Sequence, residues 1–271
     1  MTPIAVTIAG SDSGGGAGLQ GDLKTFSALG VYGASVLTAL TAQNTAGVTA
    51  IHDVPADFVA AQMDAVFSDL RVSAVKIGML SQPGIIAAVA AGLERWRQTQ
   101  AVLDPVMVAS SGDRLLAADA IDVLKRVLIP RARVLTPNLP EAAALLGLPL
   151  AQGEDEMLAQ AQRLLGLGAQ AVVIKGGHGA GPTSVDLLVD HNGAVALPMT
   201  RIASRNTHGT GCAFSAAIAA GLAKGLELEA ATRAAKLYVH AAIAAADPLE
   251  IGSGPGPVHH FHAVWPGLPT D

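Results

Sequence analysis

Polar or glycine-rich segments follow several short apolar runs along this 271-residue chain. Gly10 comes directly after the first run, Asp104 ends another and Lys175 ends a third. Short apolar runs of this kind predict strands buried in a parallel sheet. Ligands of open α/β sheets bind beyond the carboxyl ends of the strands. The pattern therefore predicts one crevice shared by several strand ends. The other segments of this type are Gln43-Asn44, Gly78-Met79 and Thr136-Pro137-Asn138.

Glycine dominates residues 11–18, the loop after the first predicted strand. The formal G-x-G-x-x-G match is made by Gly16, Gly18 and Gly21. A dinucleotide site needs its first glycine at the strand end and an acid after the second strand, where this chain has Gln43. We therefore interpret the loop as a lid or wall over a small ligand. A surface loop without a function is the alternative.

A second glycine-rich segment, residues 206–212, precedes a predicted helix. Free backbone N–H groups at a helix N-terminus bind anions, and Gly209 and Gly211 allow close approach to the backbone. At this position we expect the thiol of Cys212 to have a lowered pKa. The alternative is an ordinary helix start with a small buried thiol.

Asn138 and Glu141 stand three residues apart at the start of another predicted helix. Such a pair can hold hydrated Mg²⁺ or form a capping box, and the pattern by itself favours the cap. Lys175 precedes two glycines and can meet a phosphate as a point charge, with a solvated lysine as the alternative. The pattern G-x-x-x-x-G-K-[ST] is absent from the sequence, which excludes a P-loop.

Three histidines, His259, His260 and His262, stand close together in a tail that is rich in glycine and proline. Their spacing looks like that of metal ligands, but no other ligand group lies nearby in the sequence. We interpret them as surface histidines.

Strand and helix patterns alternate, which predicts a mostly parallel sheet covered by helices on both faces and a single domain over residues 1–271. Asn192-Gly193 predicts a hairpin near the end of the alternation. The predicted strands are residues 4–9, 34–43, 75–77, 101–103, 134–136 and 171–174, with the hairpin over 186–198. The predicted helices are residues 19–29, 55–70, 84–97, 119–128, 141–146, 154–167, 211–224 and 228–246.

The composition excludes several classes of protein. Apolar residues make up 51% of the chain and charged residues 14%, which excludes intrinsic disorder. A net charge of −5 with few aromatic residues argues against nucleic-acid binding. The longest uncharged stretch, residues 25–51, contains too many polar residues to cross a membrane. A single cysteine and the lack of a leader pattern favour a cytoplasmic protein.

Taken together, these motifs resemble the bacterial hydroxymethylpyrimidine/phosphomethylpyrimidine kinases of thiamine biosynthesis, in the ribokinase-like superfamily. Gly21 and Arg205 stand where that family more often has Ala and Lys. The matching stretches are residues 9–18, 22–26, 41–45, 76–80, 104–107, 136–142, 175–178, 206–212 and 256–262. The resemblance implies a three-layer α/β sandwich, ATP and Mg²⁺ as cofactors, and usually a homodimer. It implies phosphorylation of 4-amino-5-hydroxymethyl-2-methylpyrimidine to its monophosphate and then its diphosphate.

The resemblance also implies roles for individual residues. Gln43 would read the aminopyrimidine, since its amide both donates and accepts hydrogen bonds. The implied substrate pocket is completed by Gly10, Asp22, Met79 and Val106. Asp104 and Glu141 would organise Mg²⁺. The implied ATP-binding residues are Asn138, Lys175, Thr207 and Lys236.

The turn formed by Gly209, Thr210, Gly211 and Cys212 would be the anion hole for the transferring phosphoryl group. Sugar kinases of the superfamily carry Asp where this chain has Cys212. A thiolate there would be the general base for the alcohol, whereas the phosphate acceptor is already ionised and needs no base.

Three competing hypotheses remain. A pyridoxal or pyridoxine kinase shares the fold and a similar hydroxymethyl acceptor. The hypothesis of an oxidoreductase depends on the glycine pattern of Gly16, Gly18 and Gly21, but the acidic residue that would bind the ribose of a dinucleotide is missing. A binding module without catalysis is disfavoured by the intact Asp104, Glu141 and Lys175.

Overall fold

The computed structural model describes residues 1–107, 119–179 and 181–265. Within these ranges, an eight-stranded sheet runs in the order β10-β9-β8-β7-β6-β5-β1-β2, and β3 pairs with β4 in a small separate sheet. The strands are β1 (Ile4–Ala9), β2 (Tyr32–Leu37), β3 (Ala39–Asn44), β4 (Gly47–Asp53), β5 (Ala74–Ile77), β6 (Ala101–Leu103), β7 (Val134–Leu135), β8 (Ala171–Ile174), β9 (Thr183–Asp190) and β10 (Gly193–Thr200).

The six strands from β8 to β2 in this order are parallel, and β9 and β10 form an antiparallel hairpin at the edge beside β8. The chain adds β2 on one side of β1 and then continues with β5 on the other side. Such a reversal of strand order leaves a crevice beyond the carboxyl ends of the strands. The fold therefore opens a site beyond β1 and β5, where Gly10 and Gly78 stand.

Helices cover both faces of the large sheet, as the strand–helix alternation predicts. Alternate residues of β6 enter different cores, with Leu103 on one face and Val102 on the other. Helices α2 to α6 contribute to the first core, and α1, α7 and α8 contribute to the second. The helices are α1 (Gly18–Ala28), α2 (Ala56–Asp69), α3 (Pro83–Arg95), α4 (Ala120–Val123), α5 (Leu139–Leu146), α6 (Glu154–Leu165), α7 (Thr210–Ala223) and α8 (Leu228–Ala244).

The predicted strand over residues 34–43 is wrong in one respect. The structure divides it into β2 and β3, which lie in different sheets. The backbone N–H of Thr38 still bonds to Ala9 of β1, after which the chain leaves the large sheet and pairs with β4. Gln43 therefore reaches the crevice from the small sheet and not from a strand end of the large one.

The other predicted elements are confirmed to within a few residues, and one of them differs in detail. The predicted helix over 119–128 begins as α4 and continues as a wider π-helical turn at Leu124–Leu128. Strand β4, which pairs with β3 in the small sheet, is not predicted from the sequence. Among the described helices, none is long and apolar enough to cross a bilayer.

Candidate functional site

A cavity of about 910 Å³ opens beyond the carboxyl ends of the parallel strands. It brings together all but one of the residues to which the family resemblance gives a role. The selected residues that line it are Gly10, Gln43, Met79, Asp104, Val106, Asn138, Glu141, Lys175, Thr207, Gly209, Thr210, Gly211, Cys212 and Lys236. The prediction of one shared crevice is confirmed.

Asp22 is the exception, because the structure places it behind the cavity wall. Its side chain is fully buried. Asp22 Oδ2 forms an ion pair with Lys76 Nζ at 2.8 Å and accepts a hydrogen bond from Thr7 Oγ1 at 2.6 Å. Lys76 is the member of the pair that reaches the cavity wall. Burial disfavours its charge, but the carboxylate beside it raises the pKa of Lys76 above its usual value. The expectation that Asp22 lines the substrate pocket is therefore corrected, and Lys76 occupies that part of the wall.

One part of the cavity, which we call the glycine end, is formed by the loop over residues 10–18 together with Gln43 and Met79. Ser13 Oγ donates to the carbonyl of Gln43 and accepts from its N–H, both at 2.7 Å. Thr41 Oγ1 donates to the Ser11 carbonyl at 2.7 Å and also lies 3.2 Å from Gln43 Oε1, which helps to orient the amide. A Cβ on Gly10 would lie 3.0 Å from Met79 Sδ, so only glycine fits there without displacing the thioether.

The opposite part, the charged end, contains a lysine shared by two carboxylates. Lys175 Nζ lies 2.7 Å from Asp104 Oδ1 and 3.9 Å from Glu141 Oε2. Ser215 Oγ donates to the second oxygen of Asp104 at 3.1 Å. Burial raises the pKa of Glu141 to about 7, although Lys175 opposes the shift. A solvated Lys175, the alternative in the sequence analysis, is wrong because only 13% of its side chain is exposed.

Asn138 and Glu141 form the capping box that the pattern favours. Asn138 Oδ1 accepts from the N–H of Glu141 at 2.8 Å, and Glu141 Oε2 accepts from the N–H of Asn138 at 2.7 Å. The cap does not remove Glu141 from the cavity, because the carboxylate also lies within 3.9 Å of Lys175. Capping and ligand binding are therefore compatible at this residue.

Lys236 belongs to a second charged group that the sequence analysis does not find. Its Nζ lies 2.7 Å from Asp186 Oδ2, and Asp186 Oδ1 accepts the N–H of Gly176 at 2.8 Å. Asp186 thus ties helix α8 and strand β9 to the turn that follows Lys175. In the sequence, Asp186 is a single charged residue among apolar ones at the start of a predicted strand. No other feature of the sequence marks it as a site residue.

The turn over residues 209–212, which we call the anion-hole turn, connects the two ends. Gly209 has a left-handed φ of 81°, and α7 begins at the next residue. A Cβ on Gly209 would lie 1.9 Å from the carbonyl oxygen of Gly16, in the glycine end. A Cβ on Gly211 would lie 3.3 Å from Lys175 Nζ, in the charged end. The N–H groups at the start of α7 therefore stand between the two ends, and that of Thr210 donates to the Thr207 carbonyl at 3.2 Å.

The expected low pKa of Cys212 is wrong. The thiol is half-buried, and desolvation raises its pKa to about 11. Lys76 and a backbone contact at Gly18 lower it, but less than burial and the carboxylates Asp22 and Asp104 raise it. A helix N-terminus lowers the pKa of a thiol only if the thiolate is solvated or paired. Without a ligand, Cys212 is therefore a neutral thiol near pH 7.

The histidine tail is also different from expectation. His260 is buried, and desolvation lowers its pKa to about 4, so this residue is not a surface histidine. Tyr238 on α8 donates to the carbonyl of His260 at 2.8 Å, which anchors the tail. In the described part of the chain, no three His, Cys, Asp or Glu side chains form a metal cluster.

The parallel sheet, its carboxyl-end cavity and the anion-hole turn beside a lysine and two carboxylates define an α/β kinase of small molecules. Comparison with known proteins narrows the class. The family model of phosphomethylpyrimidine kinase matches residues 12–259, and the chain belongs to this family.

Similar proteins agree with this result. The chain is 63% identical over 265 residues to the hydroxymethylpyrimidine/phosphomethylpyrimidine kinase of Rhizobium meliloti, covering 98% of this chain and 99% of the relative. The phosphomethylpyrimidine kinase structure from Clostridium difficile aligns with a TM-score of 0.79 at 43% identity, covering 89% of this chain and 99% of that one. A pyridoxal kinase of Bacillus subtilis, solved as an ADP complex, aligns with a TM-score of 0.89 at 38% identity, covering 97% and 99%. The fold is ribokinase-like, as the resemblance implies.

Proposed function

We propose that this chain transfers the γ-phosphoryl group of ATP to the hydroxymethyl oxygen of 4-amino-5-hydroxymethyl-2-methylpyrimidine and then to the monophosphate so formed. In each step a bond forms between the acceptor oxygen and the γ-phosphorus, and the bond from that phosphorus to the β-phosphate oxygen breaks. The observation that carries the proposal is the anion-hole turn, which lies between the glycine end and the charged end of a single cavity. The oxidoreductase and binding-module hypotheses account for neither the turn nor the lysine.

The glycine end suits a flat, neutral heteroaromatic alcohol. The Gln43 amide is oriented by Thr41, and it can accept from an exocyclic amine and donate to a ring nitrogen. Met79 and Val106 supply apolar walls of the same cavity. Recognition there rests on shape and directed hydrogen bonds, because the ring carries no charge that needs a counter-ion.

The charged end suits a polyphosphate with its magnesium ion. Mg²⁺ is usually held by one or two carboxylates together with phosphate oxygens and water. Asp104 and Glu141 fit this donor set, since both lie within 3.9 Å of the same ammonium group. When bound, Mg²⁺ would neutralise charge on the phosphates. Asp104 and Glu141 would hold it, while Lys175, Lys236, Asn138 and Thr207 would bind the nucleotide.

The anion-hole turn then stabilises the phosphoryl group in transit. The backbone N–H groups of Gly211 and Cys212 lie in the first turn of α7 and are already oriented by it, so they need no rearrangement during transfer. Cys212 stands at the end of this turn, and its thiolate form accepts the proton of the alcohol in the first step. The second acceptor is a phosphate monoester, which is already ionised at neutral pH and needs no such base.

A second candidate activity is phosphorylation of pyridoxal. It is favoured by the close structural match to a pyridoxal kinase, whose TM-score of 0.89 exceeds the 0.79 of the phosphomethylpyrimidine kinase structure. Pyridoxal carries a hydroxymethyl group on a nitrogen heteroaromatic ring and fits the same geometry of transfer.

We also propose a homodimer located in the cytoplasm, with residues 1–271 folding as one domain. Large apolar side chains are exposed on β2, β3 and α2, namely Tyr32 at 57%, Leu40 at 46% and Phe58 at 60% exposure. Such exposure is typical of a surface that is covered in an assembly. Light scattering of the purified chain would measure its mass directly, and a monomer at all concentrations would contradict this part.

Phosphorus NMR of the purified chain with Mg-ATP and the pyrimidine alcohol tests the main proposal. The expected result is a monophosphate signal that is later replaced by a diphosphate signal. Transfer to pyridoxal but not to the pyrimidine would favour the second candidate and keep the ATP site. No transfer to either acceptor would overturn both substrate assignments.

A further inference from the structure

Asp12 in the glycine end is held rigidly by its own loop. Its exposure is 2%. Oδ1 accepts the N–H of Gly14 at 2.8 Å, and Oδ2 accepts the N–H groups of Gly16 and Ala17 at 3.1 and 2.8 Å. Burial opposes the charge, but His208 and these backbone donors together hold the pKa of Asp12 below its usual value. The carboxylate is therefore a fixed acceptor and not a mobile side chain.

His208 meets that carboxylate from the far end of the sequence. Its Nε2 lies 2.9 Å from Asp12 Oδ2, although the two residues are 196 positions apart. The His208 N–H donates to the carbonyl of Gly256 at 3.0 Å, so the tail holds the backbone of His208 from the other side. A Cβ on Gly16 would lie 2.4 Å from the imidazole Cδ2, so the ring packs directly on the glycine loop.

Gly209, the residue after His208, begins the anion-hole turn. Its left-handed conformation and the 1.9 Å between its would-be Cβ and the Gly16 carbonyl oxygen show that the backbones of the two segments pack directly against each other. The Asp12–His208 contact is thus a side-chain bond between the loop that forms the acceptor pocket and the turn that carries the phosphoryl-binding N–H groups.

We propose that Asp12 and His208 form a positioning pair that sets the distance between the acceptor oxygen and the anion-hole turn. This inference rests on the proposed function for its kinetic consequence. Phosphoryl transfer depends mainly on alignment and charge stabilisation, and a displacement of about 1 Å can cost on the order of 100-fold in rate. The pair itself exchanges no proton with the substrates.

Steady-state kinetics of three variants test the role. Loss of the contact in H208A is expected to lower kcat for both acceptors by on the order of 10- to 100-fold, with little change in the KM for ATP. H208Q is expected to retain most of the wild-type kcat, because its amide nitrogen can still donate to Asp12. H191Q, in the exposed turn between β9 and β10, is the matched control and should match the wild type. Equal loss of activity in H208Q and H208A would overturn the proposal in favour of proton transfer by the imidazole.

Hydrogen–deuterium exchange with MgADP bound gives a readout that needs no turnover. In D12N, whose amide cannot accept all four donors, exchange is expected to increase at residues 206–212 as well as in the substituted loop. Unchanged exchange at 206–212 would overturn the proposal. Because the experiment compares D12N with the wild type, it tests the positioning pair even if H208A does not fold. If the wild type transfers no phosphate, the proposed function fails, whereas the exchange experiment still tests the pair.

Discussion

The two ends of the cavity use opposite chemistry. The charged end concentrates Lys175, Asp104 and Glu141, and a second ion pair joins Lys236 to Asp186. The glycine end lines its part of the cavity with glycines, an amide and a thioether, and its carboxylates are paired, Asp12 with His208 and Asp22 with Lys76. Under the proposed function, the charged end would bind the phosphates, and the glycine end would select the aromatic acceptor by shape and hydrogen bonding.

The anion-hole turn contacts both ends of the cavity. Gly209 packs on the carbonyl of Gly16, and Gly211 stands beside Lys175. Transfer requires the two ends to act across this turn. Substitutions at the charged end are therefore expected to change the kinetics with respect to the nucleotide, and substitutions at the glycine end those with respect to the acceptor.

The largest effect is expected from K175M at the charged end. The substitution leaves Asp104 and Glu141 in the cavity without their cation, so transfer to either acceptor should fall by about 10³-fold. Loss of one partner of a largely buried pair should also lower the free energy of unfolding by roughly 3 kcal/mol. Coupled ATP-turnover assays and thermal unfolding measure the two effects. K224M, at an exposed lysine, should change neither turnover nor the free energy of unfolding. Near-normal turnover in K175M would contradict a role for the charged end in transfer.

The next effect is expected from G209A in the anion-hole turn. Its Cβ would meet the Gly16 carbonyl, so the turn must move away from the glycine end, and kcat should fall by about 100-fold for both acceptors. G225A is the matched control, since Gly225 also has a positive φ of 83° but has nothing within 4 Å of the added Cβ. Similar kcat losses in the two variants would show that backbone strain, and not the clash, is responsible.

A smaller and more selective effect is expected from C212A. It should lower kcat/KM for the alcohol by on the order of 100-fold and change the second step far less. Because burial raises the thiol pKa to about 11, the thiolate fraction grows as pH rises toward that value. The wild-type kcat/KM for the alcohol should therefore rise about tenfold per unit between about pH 7 and about pH 9. A flat profile, or equal losses in both steps, would contradict the base role.

The smallest effect is expected from Q43M at the glycine end. The thioether keeps the length of the side chain but removes both hydrogen-bonding groups, so the KM for the pyrimidine alcohol should rise by about 10- to 100-fold. The KM for ATP should stay the same, because Gln43 lies in the other end. Initial rates at varied concentrations of each substrate measure this, and an equal rise in both KM values would show that the ends are not separate.

Much of the architecture could be predicted because it depends on local pattern. Apolar runs and periodic helices such as α2 and α3 identify their own elements, and parallel strand ends must converge at one edge. The capping box of Asn138 and Glu141 is equally local, since both residues belong to the first turn of one helix.

Other features depend on residues that only the folded chain brings together. The separation of β3 from the large sheet, the pairing of Lys236 with Asp186 and the contact of Asp12 with His208 join segments far apart in sequence. The pKa of Cys212 shows the same limit, because a helix start predicts one direction and burial imposes the other. Local patterns and the family resemblance were enough to predict the fold class, the family and many of the residues that line the cavity. The tertiary structure decided their burial and partners, because desolvation and long-range contacts are properties of the packed chain.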